Sequence, residues 1–256
     1  MASHRLVACG KGGSLAAMPT VKVYKFGPAF GLPDASPFVM KVETYLRMTD
    51  QKYETVTGDV RKAPRKQLPF IEIDGKIVPD STAIIDSLEA SRPAKLDARL
   101  DDKQRATGQA FKSMLEEHLY FCLLYMRWAT DEGWAVFEPS LREMLGAMGV
   151  PGLLRGLVAG QARKFTVERT RTQGVGRQPR AEVVGAANRI LDSLAVQLAG
   201  GPFFFGAEPT TYDATVYAFA AGALCPAFDN EVRKHAASKE NLVAYEARLK
   251  ERYWKS

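Results

Sequence analysis

The chain has 256 residues, of which 46% are hydrophobic and 25% are charged, and its formal net charge is +6 at pH 7. This length suffices for one large domain or two small ones, each with its own core. The three cysteines and three histidines are scattered, which argues against a disulfide scaffold or a metal site and fits a reducing, cytoplasmic location. No apolar stretch approaches the roughly 20 residues that span a bilayer.

Residues 1–19 are rich in Gly, Ser and Ala and contain no acidic residue. They lack the apolar core of a secretory signal, so we expect a flexible N-terminal extension. A native extension, a transit segment, a tag, and a true start at Met18 all fit this composition.

The first predicted element after this extension is a strand over Val21–Phe26, where polar and apolar residues alternate. A loop rich in Gly and Pro leads to Ser36, and Pro37 then occupies the first position of a helix. Lys52–Thr57 predicts a second strand. Asp59–Lys66 is either a short basic helix or an irregular segment.

Two short β-favouring runs, Phe70–Ile73 and Lys76–Val78, flank Asp74-Gly75. This dipeptide is the strongest short-range hairpin signal, because the tight turn needs positive φ. Asp80 is a good N-cap for a helix that begins at Ser81, and the amides of a first helical turn attract anions. The elements together predict the βαβαββα order of an α+β thioredoxin-like domain.

Everything beyond a polar linker is predicted to be helical. Asp102–Trp128 has the apolar spacing of a long amphipathic helix. Thr210 and Asp213 form a capping box that opens an apolar core helix, so Asp213 is expected to serve folding rather than chemistry. The predicted division is a thioredoxin-like domain over 20–92, a linker over 93–102 and an all-helical domain over 103–256.

The stretch between residues 140 and 180 has eight basic residues against two acidic ones. Such a patch attracts nucleic acid, an acidic lipid face or an anionic ligand. It contains no nucleic-acid motif and few aromatic residues, so a solvated helix face is favoured and nucleic acid is not expected as a partner. The glycines between residues 146 and 160 predict short or mobile helices.

The order Leu-Pro, strand, Asp-Gly, strand, acid-Ser, helix resembles the N-terminal domain of the glutathione transferase superfamily. The resemblance implies that Pro69 is the family's cis-proline, which leaves the backbone of Leu68 free to pair with the cysteinyl unit of glutathione. It also implies that Asp80 and Ser81 hold the γ-glutamyl carboxylate and that Gln67 contacts the tripeptide. The alternative is that Asp80 and Ser81 only cap a helix.

The resemblance also implies a hydroxyl that activates the glutathione thiol. Ser36, followed by Pro37-Phe38 and Lys41, resembles that position in the Ser- and Cys-type classes, where amide donors and the helix dipole favour a thiolate. Ser36 as a plain N-cap is the alternative. Tyr24 on the first strand is the rival hydroxyl, although its alternating strand position favours a packed role.

The aromatic half of the long helix, Leu119–Trp128, is expected to pack mainly in the core. One of its edges is expected to face the cleft where an apolar co-substrate would lie. Arg127 beside it either meets an anionic group or forms a surface salt bridge.

The whole pattern looks closest to the failed-axon-connections/metaxin-like branch of the superfamily and its bacterial relatives. Three features depart from ordinary transferases: a longer loop before Ser36, Lys66 in place of a common Gly, and Asp80 in place of Glu or Gln. The resemblance implies a homodimeric enzyme that conjugates glutathione, its co-substrate, to an apolar electrophile without a metal. The alternative is a non-catalytic metaxin-like scaffold with the same fold.

Overall fold

The computed structural model describes residues 20–255, so the extension predicted for residues 1–19 lies outside the described residues. A four-stranded mixed sheet forms the first part, with the strand order β2-β1-β3-β4. Strands β1 and β2 are parallel, while β1 with β3 and β3 with β4 are antiparallel. The strands are β1 (Val21–Lys25), β2 (Tyr53–Thr57), β3 (Phe70–Ile73) and β4 (Lys76–Pro79).

Helices α1 (Pro37–Met48) and α2 (Ser81–Ser91) pack on one face of this sheet. Val21, Val23 and Ile71 point from the strands into the core they share with these helices. This arrangement confirms the predicted thioredoxin-like fold, including the hairpin turn, where Asp74 and Gly75 both have positive φ.

The predicted order βαβαββα differs from the structure at one element, because no helix forms between β2 and β3. Of the two interpretations of Asp59–Lys66, the irregular segment is the observed one. Pro64 lies in the middle of the segment and disfavours a helical conformation at the residue before it. Asp59 pairs with Arg61 only two residues away, at 2.8 Å, which stabilises a turn instead.

The second part is all-helical, as predicted. The long predicted helix Asp102–Trp128 consists of α3 and α4 joined by a π-helical turn over Met114–Leu119. The helices are α3 (Asp102–Ser113), α4 (Tyr120–Trp128), α5 (Asp131–Ala147), α6 (Gly152–Gln173), α7 (Arg180–Leu198), α8 (Thr211–Leu224), α9 (Glu231–Ala237) and α10 (Glu240–Trp254). No helix in residues 20–255 is long and apolar enough to cross a bilayer. The domain boundaries at residues 92 and 102 stay a prediction.

The glycine-rich stretch predicted as short or mobile helices instead forms the two long helices α5 and α6. Two of its glycines allow close approach between these helices. A Cβ atom on Gly146 would lie 2.6 Å from Cζ of Arg155, and one on Gly156 would lie 3.1 Å from Nη2 of Arg142. Each arginine therefore lies across the backbone of the facing helix.

Several charges of the basic stretch are neutralised locally. Arg142 pairs with Glu138, Arg163 with Asp131, and Arg180 with Glu231 across the helical part. These exposed pairs fit the solvated helix face that the sequence favours.

Asp213 ties three segments of the helical part together. Its side chain is fully buried. Its carboxylate accepts the N–H groups of Thr210 and Phe204, both at 2.8 Å, and the hydroxyl of Tyr245 at 2.9 Å. This confirms the structural role predicted for Asp213 at the start of α8.

Asp34 orders the loop that precedes α1. Its fully buried carboxylate accepts the N–H of Gly27 at 2.7 Å and that of Ser36 at 2.9 Å. The ammonium group of Lys25 lies 4.0 Å away. Burial raises the pKa of Asp34 to about 7, although both amides and Lys25 oppose the shift.

We expect Asp213→Ala to lower the free energy of unfolding by at least about 3 kcal/mol, since several buried donors would lose their acceptor. Urea denaturation measures this change. Tyr245→Phe is the matched control, because it removes one donor and leaves the carboxylate in place. It should lower the free energy of unfolding by about 1 kcal/mol. Equal losses in the two variants would contradict the central role of Asp213.

We expect Asp34 to make the protein less stable as pH rises. The folded-state pKa of about 7 exceeds the unfolded value of about 3.9. The folded chain therefore binds this proton more tightly than the unfolded chain does. Protonation of Asp34 adds up to about 4 kcal/mol to the free energy of unfolding, and this contribution falls as pH rises from the unfolded pKa and is lost once pH passes about 7. Urea denaturation at pH 5 and pH 8 should show this loss in the wild type relative to Asp34→Asn. A difference between the two proteins that does not change with pH would mean that Asp34 is ionised throughout.

Candidate functional site

A cavity of about 870 Å³ lies between the sheet-bearing part and helices α4, α5 and α6. We call it the central cavity. One side of the cavity is lined by Ser36 and its neighbours, by residues of the irregular segment Asp59–Lys66 and of 67–69 after it, and by the start of α2. Apolar side chains of the helical part line the other side, namely Phe121, Leu124, Trp128, Phe137, Leu141, Met144, Leu145, Met148, Val150 and Val158.

All five residues predicted to bind glutathione line the central cavity. They are Gln67, Leu68, Pro69, Asp80 and Ser81. The Leu68–Pro69 peptide bond is cis, as the resemblance implied.

Asp80 caps α2 with its side chain. It has φ of 76°, and its Oδ1 accepts the N–H groups of Thr82 at 2.9 Å and Ala83 at 3.2 Å. The sequence predicted that the amides of this turn attract an anion. Two of these amide N–H groups already donate to the Asp80 carboxylate. Ser81, a residue only 4% exposed, lines the cavity next to Asp80.

Lys41 lies beneath the start of α2 and is only 2% exposed. Its ammonium group donates to Glu116 Oε1 at 2.6 Å, to the Thr82 hydroxyl at 3.0 Å and to the Ser81 hydroxyl at 3.4 Å. Burial lowers the pKa of Lys41, and the negative charge of Glu116 opposes that shift. A positive charge therefore underlies the turn that carries Ser81.

Lys41 was not predicted from the sequence to have a role of its own at this end of the site. A signal was available, because Lys41 interrupts the apolar face of α1 between Met40 and Val42, both buried. Lysine is almost never fully buried unless it is paired, so a lysine on such a face indicates a partner.

Ser36 is half-buried at the N-terminus of α1 and lines the central cavity. Its backbone N–H donates to Asp34, but its side chain makes no capping hydrogen bond to the helix. The alternative of a plain N-cap therefore does not describe its hydroxyl. Ser36 therefore lines the cavity with a side chain that has no capping role.

Tyr24 lies elsewhere. Its ring stacks on Phe70 with 4.1 Å between centroids, and its hydroxyl donates to Glu72 Oε2 at 3.2 Å. Partial burial and Glu72 raise the pKa of this phenol. Tyr24 is not among the residues that line the central cavity, so the packed role that its strand position favoured is the one observed.

The aromatic half of the long helix faces the cavity with one edge, as expected. Tyr120, Phe121 and Trp128 line the cavity, and Tyr125 does not. The Tyr120 ring packs edge-on against Phe38, with 4.9 Å between centroids. Tyr120 thus lies beside the Ser36 end of α1.

Comparison with known proteins agrees with this geometry. The family model described as glutathione S-transferase N-terminal domain matches residues 37–133, and the one described as glutathione S-transferase, C-terminal domain matches residues 187–249. The isoprene-epoxide–glutathione S-transferase of Rhodococcus sp. (strain AD45) is 33% identical over 91% of this chain and 99% of its own length.

Other relatives are not named as transferases. Failed axon connections of Drosophila melanogaster is 30% identical over 91% of this chain and 57% of its own length. Human metaxin-2 is 22% identical over 84% of this chain and 81% of its own length.

The solved structures support the fold. The β-etherase LigF of Sphingobium sp. strain SYK-6 has a TM-score of 0.58 at 19% identity, over 92% of this chain and 99% of LigF. Glutathione transferase Omega 3C of Trametes versicolor has a TM-score of 0.56 at 15% identity, over 91% and 85% of the two chains. Together with the family models and the Rhodococcus relative, they show that the chain belongs to the glutathione S-transferase family.

Proposed function

We propose that this protein binds reduced glutathione in the central cavity and joins its sulfur to an apolar electrophile. The observation that carries the proposal is the Ser36 hydroxyl. It lies at the N-terminus of α1, makes no capping hydrogen bond, and lines the same cavity as the cis Leu68–Pro69 bond and Ser81.

The γ-glutamyl carboxylate of glutathione would lie against the Ser81 hydroxyl. Asp80 already accepts two amides of this turn, so the attraction comes from the hydroxyl, the positive end of α2 and the Lys41 ammonium beneath it. The backbone of Leu68 would pair with the cysteinyl unit, and Gln67 would contact the tripeptide from the cavity edge.

The Ser36 hydroxyl would donate a hydrogen bond to the glutathione sulfur. A free thiol has a pKa of about 8.5, and both a hydroxyl donor and a helix N-terminus favour the thiolate. The thiol proton leaves to solvent. The thiolate then supplies the electron pair of a new carbon–sulfur bond, and the electrophile atom that was bonded to this carbon takes the pair of the bond that breaks. With an epoxide, that atom is an oxygen which stays on the product and takes a proton from solvent.

The electrophile would occupy the apolar wall formed by α4, α5 and α6. That wall is rich in aromatic and aliphatic side chains, such as Phe121, Trp128 and Leu141, and apolar walls with a few polar groups are typical of small-molecule sites. The name of the Rhodococcus relative supports a small epoxide as one electrophile to screen.

A second candidate function is a non-catalytic, metaxin-like scaffold. The similarity to Failed axon connections and to metaxin-2 favours it. The Ser36 side chain makes no capping hydrogen bond, and Ser81, which lines the same cavity, accepts a hydrogen bond from the buried Lys41. A scaffold would have no need for this combination, so we rank it second. A homodimer and a cytoplasmic location are further proposals, which rest on the family resemblance.

We expect Ser81→Ala to weaken glutathione binding by roughly 1.5–3 kcal/mol, the contribution of a hydrogen bond to a charged group. Calorimetric titration with reduced glutathione measures it. Thr82→Val is the matched control, because Thr82 shares the Lys41 hydrogen bond but lies outside the cavity lining. If millimolar glutathione does not bind the wild type, the transferase proposal fails and the scaffold is favoured.

We expect Ser36→Ala to raise the pKa of bound glutathione by about 1 unit or more while its affinity changes little, because only the thiolate loses a donor. The ultraviolet absorbance of the thiolate as a function of pH reports this pKa. Tyr24→Phe serves as the control and should leave the pKa unchanged. The reverse pattern would assign the activating hydroxyl to Tyr24.

A further inference from the structure

Two guanidinium groups lie on the apolar wall of the central cavity. Arg127 comes from α4 and Arg169 from α6, and both line the cavity. Within residues 20–255, neither forms an ion pair with Asp or Glu. The sequence left open whether Arg127 meets an anionic group or a salt-bridge partner, and the salt bridge is not formed.

Other cations near the cavity differ from these two. The buried Lys41 pairs with Glu116 at 2.6 Å, and the exposed Arg61 pairs with Asp59 at 2.8 Å. Arg65 and Lys66 line the opposite side of the cavity and are exposed, and neither forms an ion pair with Asp or Glu in residues 20–255. On the wall formed by α4 and α6, the positive charges of Arg127 and Arg169 are available to a ligand.

Arg127 is held firmly in place. Its Nη1 donates to the carbonyl oxygen of Ala35 at 3.1 Å, and its guanidinium carbon lies 4.6 Å from the ring centroid of Phe228 and 5.5 Å from that of Phe30. Cation–π contacts of this kind position a charge without neutralising it. A guanidinium has five N–H donors, so donors remain for a ligand next to Ser36.

Arg169 lies above the neighbouring aromatic side chains. Its guanidinium carbon is 6.0 Å from the Tyr120 ring centroid and 5.6 Å from that of Phe121. Burial raises the pKa of the Tyr120 hydroxyl, and the charges of Arg169 and Arg127 and a hydrogen bond with Arg169 oppose this shift. Two cations and a phenol donor thus meet on one wall of the cavity.

We propose that the electrophile, although apolar over most of its body, carries one carboxylate, which Arg127 and Arg169 bind while the apolar body packs against Tyr120 and Phe121. This inference rests on the proposed glutathione conjugation. Planar guanidinium groups match a carboxylate in geometry and charge. The γ-glutamyl carboxylate of glutathione is a poor explanation, because Arg127 adjoins Ala35 and Ser36 at the proposed thiol end, away from the Lys41–Ser81 end.

The test compares two analogues of a conjugation product: S-hexylglutathione, and an S-carboxypentyl analogue in which a carboxylate replaces the terminal methyl group. Calorimetry should show that the wild type binds the carboxylate analogue at least about tenfold more tightly, as expected for charge-assisted hydrogen bonds. Arg169→Gln and Arg127→Gln should each reduce this preference to less than about threefold. Arg169→Gln should leave S-hexylglutathione binding unchanged.

Arg171→Gln is the matched control, because Arg171 is an exposed cation on the same helix that does not line the cavity. It should keep the full preference. Equal binding of both analogues to the wild type, or equal effects of Arg169→Gln and Arg171→Gln, would overturn the carboxylate proposal alone. A loss of both analogues and of glutathione in Arg169→Gln would assign this cation to glutathione and overturn it as well. If neither analogue nor glutathione binds the wild type, the proposed function fails and this inference with it.

Discussion

The buried ion pair between Lys41 and Glu116 joins the sheet-bearing part to the helical part at the base of the central cavity. The ammonium group also reaches the hydroxyls of Ser81 and Thr82. A buried charge is tolerated only when its partners satisfy it. The start of α2, the middle of α1 and the π-helical turn are therefore held in one arrangement, on which the shape of the cavity floor depends.

Charge divides the cavity into regions with different chemistry. One end has the positive terminus of α2 with Ser81 above Lys41, and the N-terminus of α1 presents Ser36. The opposite wall is largely apolar, and its polar side chains are those of Arg127, Arg169, Glu116, Glu117, Tyr120 and Thr166. In the function that we propose, each region attracts a different part of the reactants, so charge as well as shape would orient them before a bond forms.

Local features were predictable because their causes lie within a few residues. The Asp74-Gly75 hairpin follows from turn chemistry, and the cis Leu68–Pro69 bond from the family resemblance. The Lys41–Glu116 pair was not predictable, since its members are 75 residues apart and only the tertiary fold brings them together. The choice of hydroxyl stayed open for a related reason. Alternation along β1 places Tyr24 on one face of the sheet, but it does not say on which side the cavity lies.

The π-helical turn over Met114–Leu119 sets the register between α3 and α4. Such a turn accommodates one additional residue within an otherwise regular helix. Glu116 lies inside this turn and Tyr120 directly follows it, so the irregularity sets the orientation of the cavity floor relative to the wall. Deletion of a single residue here would rotate the two by roughly 100° relative to each other. Every other helix and strand would keep its length. Glu116, the partner of Lys41, would nevertheless no longer have its present orientation relative to the wall that begins at Tyr120.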